Sequence, residues 1–192
     1  MATNITGDFI KALIANGSSV EGDMGGTGWG LVGAATGLIG MIVVGKTKFY
    51  DPLVDFRNKV RNGGDWDFKS NWLKPYKDTG VEVAGKTYRY DMPGNFHYGY
   101  VGSAMGVSTN MLLTQAGKAQ RAAGTSKPEF HCTHGDDPED HEFIRLGIKL
   151  YDDYELKVTE TNLAAILGGF KTIVCGPVPK EKPFKEPFFS RR

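Results

Sequence analysis

Apolar positions recur along most of this chain with the period of an α-helix, and short polar or glycine-rich breaks separate the runs. Residues 5–15 put Phe9, Leu13 and Ile14 on one side of a short amphipathic helix, closed by the turn chemistry of Asn16-Gly17-Ser18-Ser19. A second helix is expected over 52–60, with Asp51 as N-cap, Pro52 in the first turn and Asn62-Gly63-Gly64 as its stop. Val81-Glu82-Val83 and Lys86-Thr87-Tyr88-Arg89-Tyr90 alternate around Ala84-Gly85 and predict a β-hairpin. In 94–106, Gly99, Gly102 and Gly106 fall at i, i+3 and i+7, so a helix there presents a bare stripe to a close neighbour. Asn95, His97 and Tyr98 would sit at or just before its N-terminus, where free N–H groups attract negative charge. Ser108 caps a helix over 109–122, and Gly124 stops it. The most regular stripe, Phe143, Ile144, Gly147, Ile148 and Tyr151, predicts a helix over 138–154, and a last helix is expected over 160–174. The sum is a mainly α fold, five to six helices around one core with a small β-hairpin and no βαβ rhythm.

One tract departs from this pattern. Residues 24–45 are uncharged, carry eight glycines and are bounded by Asp23 and Lys46. As a helix their 22 residues would span a bilayer, and Gly33-Ala34-Ala35-Thr36-Gly37 has the spacing that brings membrane helices into backbone contact. A glycine-rich buried hairpin or a flexible lead-in is the opposing reading, because each glycine weakens a helix by up to about 1 kcal/mol. The expected organisation is a lead over 1–48, a folded domain over 49–175 and a Pro/Lys-rich tail over 176–192.

Composition narrows the function. With 23 basic against 22 acidic residues the net charge is +1, which removes the strongest argument for a nucleic-acid binder. Cys132 and Cys175 form one disulfide or stay reduced. Residues 1–9 have no basic n-region, so export without a cleaved signal peptide is expected.

Three polar groupings are candidates for chemistry. In Asp65-Trp66-Asp67-Phe68-Lys69, Asp67 and Lys69 are either a solvated pair or an acid/base and substrate-orienting pair. The acidic turn Asp136-Asp137-Pro138-Glu139-Asp140 suits a helix start, with Asp136 or Asp137 as cap. Asp140 exceeds that role: it is in register with Ile144, Gly147 and Tyr151, so its carboxylate projects from the buried side and needs a partner, with His97, Tyr98 and Lys69 the candidates. His131, Cys132, His134 and His141 lack the second matched pair of a zinc site. A hard cation, Mg²⁺ or Ca²⁺, on Asp136, Asp137 and Asp140 fits better. No Walker loop, G-x-S-x-G elbow, H-E-x-x-H or Rossmann fingerprint is present in the sequence.

Three motifs in order resemble the bacterial polymorphic toxin type 44 family. They are Gly63-Gly64-Asp65-Trp66-Asp67-Phe68-Lys69, Gly94-Asn95-Phe96-His97-Tyr98-Gly99-Tyr100-Val101-Gly102, and Asp136-Asp137-Pro138-Glu139-Asp140 leading to Ile144 and Gly147. The resemblance spans about 49–154 and implies an interbacterial toxin domain, carried by an exported protein or secretion-system carrier or chaperone and neutralised by a cognate immunity protein. It implies no particular reaction. The first reading is a hydrolase of the cell envelope, acting on peptidoglycan or its precursor in the periplasm of the target bacterium. Its acid/base centre is Asp137 or Asp140 with His97, assisted by Asp67, while Trp66, Lys69, Asn95 and Tyr98 bind substrate. The second is a nuclease using His97, Lys69 and a divalent ion at the aspartates. The third is a pore-former acting through 24–45.

Overall fold

In the computed structural model, residues 2–21 and 51–178 are described. The glycine-rich tract 24–45 lies outside them, as does the chain from 179 onward. Among the described residues no helix is long and apolar enough to cross a membrane. The fold is mainly helical with a small three-stranded sheet: β1 (Thr3–Asn4), α1 (Thr6–Ser18), α2 (Pro52–Val60), α3 (Phe68–Asn71), β2 (Val81–Val83), β3 (Lys86–Tyr88), α4 (Met92–Met105), α5 (Thr109–Ala122), α6 (Pro138–Tyr154) and α7 (Glu160–Gly168). Short 3-10 turns occupy Lys74–Tyr76 and Pro128–Thr133.

Local chemistry places these elements. Asp51 accepts the N–H groups of Leu53 and Val54 at the head of α2, Ser108 accepts that of Met111 at the head of α5, and Asp137 accepts that of Glu139 at the head of α6. Thr159 and Asn162 form a reciprocal capping box on α7. In the hairpin turn Ala84 and Gly85 both have positive φ, 49° and 76°, the two-residue geometry that matches the twist of the strands. A third strand, absent from the expectation, comes from the N-terminus: β1 pairs parallel with β2, Thr3 opposite Val81.

The core is organised around α4 and α6. Gly99 lies on the Ile144 carbonyl and Gly147 on the Phe96 carbonyl, so a Cβ at either position would collide with backbone of the other helix. Gly102 makes room for Leu112 of α5, and Gly106 ends α4 with φ 93°. The glycines thus serve two neighbours and a cap, where a single stripe was expected. Helix α1 belongs to the same core. Phe9 and Leu13 are fully buried, and the Phe9 ring meets Phe96 at 5.8 Å and Phe68 at 6.4 Å, edge to face.

Two boundaries differ from expectation. Helix α4 starts at Met92, with Pro93 in its first turn, so Asn95, His97 and Tyr98 lie inside the helix and not at its N-terminus. Their backbone N–H groups therefore do not form an anion site. Helix α7 stops at Gly168-Gly169 instead of running to 174; the chain continues without regular structure, with Phe170 stacked on Phe143 at 4.7 Å. Cys175 then reaches Cys132, and the two form a disulfide. That pairing removes Cys132 as a zinc thiolate.

Candidate functional site

The acidic turn, the end of the hairpin and the first turns of α4 meet at one polar centre. Arg89, just past β3, is its hub. Its Nε and Nη2 donate to the two carboxylate oxygens of Asp91 at 3.1 and 2.5 Å, and its Nη1 donates to Glu139 at 3.0 Å. Nη2 also lies 3.7 Å from Asp140 Oδ1. The bidentate bond to Asp91 is the first reason the guanidinium is held more firmly protonated than usual. Lys69 reaches Asp91 from α3, Nζ to Oδ2 at 3.8 Å. The Asp91 carboxylate thereby ties the end of the hairpin and α3 to the head of α4, and Arg89 adds α6.

Asp140 therefore has cationic partners: Lys69, one of the three expected candidates, and Arg89, which was not expected; His97 and Tyr98 are not among them. Burial pushes its carboxyl up to about 6, against the pull of Lys69 and Arg89 and with a further push from Asp91 and Asp137. Asp136 is more extreme. Only 3% exposed, its carboxyl is pushed up to about 7, by burial first and then by the Asp140 charge. Its Oδ2 is buried and has no hydrogen-bond partner. The backbone around it is held firmly: Thr133 Oγ1 donates to the Asp136 carbonyl at 2.5 Å, Gln120 Oε1 accepts from Asp137 N at 3.0 Å, and Ser126 Oγ donates to the Gly135 carbonyl at 2.6 Å. Arg121 donates to the His134 carbonyl. Two neighbouring carboxyls that both titrate near neutrality, one with an uncommitted oxygen, are equipped for proton transfer.

The other expected residues divide between this centre and its surroundings. Tyr98 faces it from α4. Its ring stacks on Phe56 at 5.6 Å, its hydroxyl donates to the Leu112 carbonyl at 3.1 Å, and burial together with the Asp136 charge raises its pKa. Asn95 precedes it by one helical turn, and its Nδ2 is buried without a partner. Asp137 is the cap of α6, its Oδ1 accepting the Glu139 N–H at 2.9 Å.

Asp67 and His97 lie elsewhere. Asp67 closes the turn before α3: Oδ2 accepts from Gly63 N at 2.9 Å and Oδ1 from Ser70 N at 3.2 Å. Burial opposes its ionisation, yet these bonds outweigh it and its pKa is lowered. His97 is 1% exposed, against Phe68 (4.4 Å) and edge-on to Trp66 (5.6 Å), with Asn16 as its polar partner. Burial drops its pKa to about 3. Trp66 also carries Lys59 over its ring at 4.8 Å. Among the described residues no three His, Cys, Asp or Glu side chains are gathered tightly enough to hold a metal ion.

Sequence reasoning missed Arg89 and Asp91. Their only signal was a pair of opposite charges two residues apart past the hairpin; Asp91 has helical backbone, φ −90° and ψ −14°, so strand alternation does not bring them together. What it lacked was any hint that α6 would pack over them.

A helical body with a carboxyl-rich centre built on motifs from three separate stretches is the frame within which the comparisons fall. The sequence model of bacterial toxin 44 matches residues 55–153, more than half of the chain and all of the polar centre. The chain belongs to the bacterial toxin 44 family. No curated protein and no solved structure matches it.

Proposed function

We propose that this bacterial toxin is a hydrolase of the cell envelope, acting on peptidoglycan or its precursor, with Asp140 and Asp136 as its proton-transfer pair. The observation that carries the reading is the Asp136 carboxyl: buried, with a free oxygen, and pushed up to about 7 beside a second carboxyl at about 6. With both carboxyls raised by burial, Asp136 more than Asp140, Asp136 is the readier acid and Asp140 the readier acceptor of a proton from water. Arg89 and Asp91 position Asp140. Lys69, Asn95 and Tyr98 border the substrate; Trp66, Asp67, Asp137 and His97 support the walls.

Two further features favour an envelope substrate over nucleic acid. Asp91, Asp136, Asp137, Glu139 and Asp140 outnumber Lys69 and Arg89 at the centre, which disfavours a phosphate backbone. The Cys132–Cys175 disulfide suits an oxidising compartment such as the periplasm. On this reading a cognate immunity protein protects the producer, and the toxin acts in the periplasm of the target cell.

The test is killing by the chain expressed in a bacterium, held in the cytoplasm or sent to the periplasm, as wild type and as Asp140→Asn and Asp136→Ala. Periplasmic toxicity lost in both variants, with release of envelope fragments, is the expected result. Cytoplasmic toxicity with nucleic-acid degradation, abolished by chelating divalent ions, would replace it with a metal-dependent nuclease. Toxicity indifferent to both substitutions would move the weapon to the tract 24–45.

A further inference from the structure

The chain beyond α7 carries an unfilled edge. From Lys171 to Gly176 no backbone N–H or carbonyl makes a hydrogen bond among the described residues, although Thr172, Ile173 and Val174 are three β-branched residues in succession. Exposure alternates along the run with the period of a strand: Thr172 and Val174 are exposed, Ile173 and Cys175 half-buried. Val174, 86% exposed, is the most exposed large apolar side chain among the described residues. Both ends of the run are clamped, by the Phe170 ring on Phe143 and by the Cys132–Cys175 disulfide. A β-prone run held at both ends, with its main-chain groups unpaired, is a template for another strand.

Beside this edge, α6 and α7 leave a groove lined by the buried Leu146 and Ile166 and by Ile173 of the run. The charged side chains lining it are Glu142, Arg145, Lys149 and Lys171. Glu142 is buried and lies 3.7 Å from Arg145, so the exposed charge of the groove is positive. Lys149 also reaches Asp153 at 2.7 Å, an exposed pair that a competing carboxylate can exchange. Lys171 forms no salt bridge among the described residues. On α6, residues 142, 145, 146 and 149 fall on the side opposite Asp140, Ile144 and Gly147, so the groove faces away from the acidic centre.

We propose that this edge and groove are a docking site for an acidic, extended segment of a partner protein, which adds as a strand along 171–176. The main chain of the run supplies the hydrogen bonds, and the groove over Leu146 and Ile166 takes alternate apolar side chains of the segment. Arg145, Lys149 and Lys171 select carboxylates and repel a basic strand. The clamps at Phe170 and Cys175 lower the entropy that ordering the edge would otherwise cost. Because the groove faces away from Asp140, its occupant holds the toxin and leaves the acidic centre open. None of this depends on which bond that centre cleaves.

The test uses a hexapeptide alternating glutamate and valine, a lysine–valine counterpart, and a fully N-methylated copy that keeps charge and side chains but has no main-chain donors. Each is titrated into the isotope-labelled full chain in its oxidised form, and amide resonances and hydrogen-exchange rates are followed. The acidic peptide is expected to shift the amides of 171–176 and to slow their exchange, and the lysine peptide to do neither. The N-methylated copy should bind about tenfold more weakly or worse. Val174→Pro removes one N–H of the edge and should weaken the acidic peptide by about tenfold. That N–H has no partner to lose, so the thermal melt should not move. Lys171→Glu should weaken the same peptide and reduce the salt dependence of its binding. Equal binding of the N-methylated copy, or shifts without slowed exchange, would overturn strand addition. Equal binding of the lysine peptide would overturn the acidic partner. No shift at 171–176 with millimolar acidic peptide would overturn the site. Concentration-dependent slowing of the same amides in the free chain would make a second copy the occupant and overturn the acidic one.

Discussion

Asn16 and His97 are hydrogen-bonded side chain to side chain, Nδ2 to Nε2 at 2.9 Å, across 81 residues of sequence. Asn16 lies on α1, before the stretch that defines the family, yet it is the polar partner of the histidine in the middle of that stretch. Burial against Phe68 and Trp66 keeps the imidazole neutral, and Asn16 supplies its polar partner.

From this follows the expected behaviour of His97. Its folded pKa of about 3 lies below the unfolded value of 6.5, so its contribution to stability is present above pH 6.5 and is lost as pH falls toward 3. Its imidazole resonances should not move between pH 8 and 5 in an NMR titration. His97→Ala should cost about 2–4 kcal/mol, by leaving a cavity and an unpaired Asn16. A denaturant melt measures that loss. Activity per folded molecule should survive it.

The two raised carboxyls have the opposite sign. Asp136 at about 7 and Asp140 at about 6 bind protons more tightly in the folded state than in the unfolded one. Their contribution is full below about pH 4 and is lost as pH rises through 6 to 7. Asp136→Asn should therefore raise the melting temperature at pH 8 while changing it little at pH 4. The stabilisation at pH 8 should be about 1–3 kcal/mol. Thermal melts at the two pH values decide it, and equal shifts at both would contradict a raised Asp136.

Among the described residues Arg89 is the only cation that contacts Asp91, Glu139 and Asp140 together, and Arg89→Ala removes it. Because the guanidinium is half exposed, the expected loss of stability is modest, about 1–3 kcal/mol. The larger effect should fall on chemistry. With an attracting charge gone, the Asp140 carboxyl should titrate higher than about 6, moving the acidic limb of the pH–rate profile upward. A profile unmoved by the substitution would detach Arg89 from the centre.

The Cys132–Cys175 bridge closes a loop with a sequence separation of 43. The loop-entropy relation gives about 4 kcal/mol for a loop of that size. Cys132→Ser with Cys175→Ser should lower the free energy of unfolding in urea by an amount of that order. Reduction of the wild type should reproduce the loss.

Much of the fold was legible because it is written locally. The caps Asp51 and Ser108, the Ala84-Gly85 turn and the apolar stripe of α6 each specify their element within a few residues, and the structure contains all of them; of the two caps open for α6, Asp136 and Asp137, it is Asp137. The acidic turn was legible in the same way. The surroundings of His97 were not. A histidine among glycines and aromatics reads as a reactive group from sequence, and only the docking of α1, α3 and the Trp66 turn turns it into an interior one. Arg89 and Asp91 were hidden for the converse reason. Each is ordinary in its own stretch and acquires meaning when α6 lays Glu139 and Asp140 against them.

The glycine crossing of α4 and α6 acts on the site as a spacer made of main chain. Because Gly99 and Gly147 bring backbone onto backbone, no rotamer intervenes between the helix that carries Asn95 and Tyr98 and the helix that begins at Asp137. The gap between those two polar rows is therefore set by main-chain atoms in van der Waals contact, which have no alternative rotamers. Surface residues on either helix are free to drift without changing it. A single methyl at Gly147 would meet the Phe96 carbonyl and pry the rows apart.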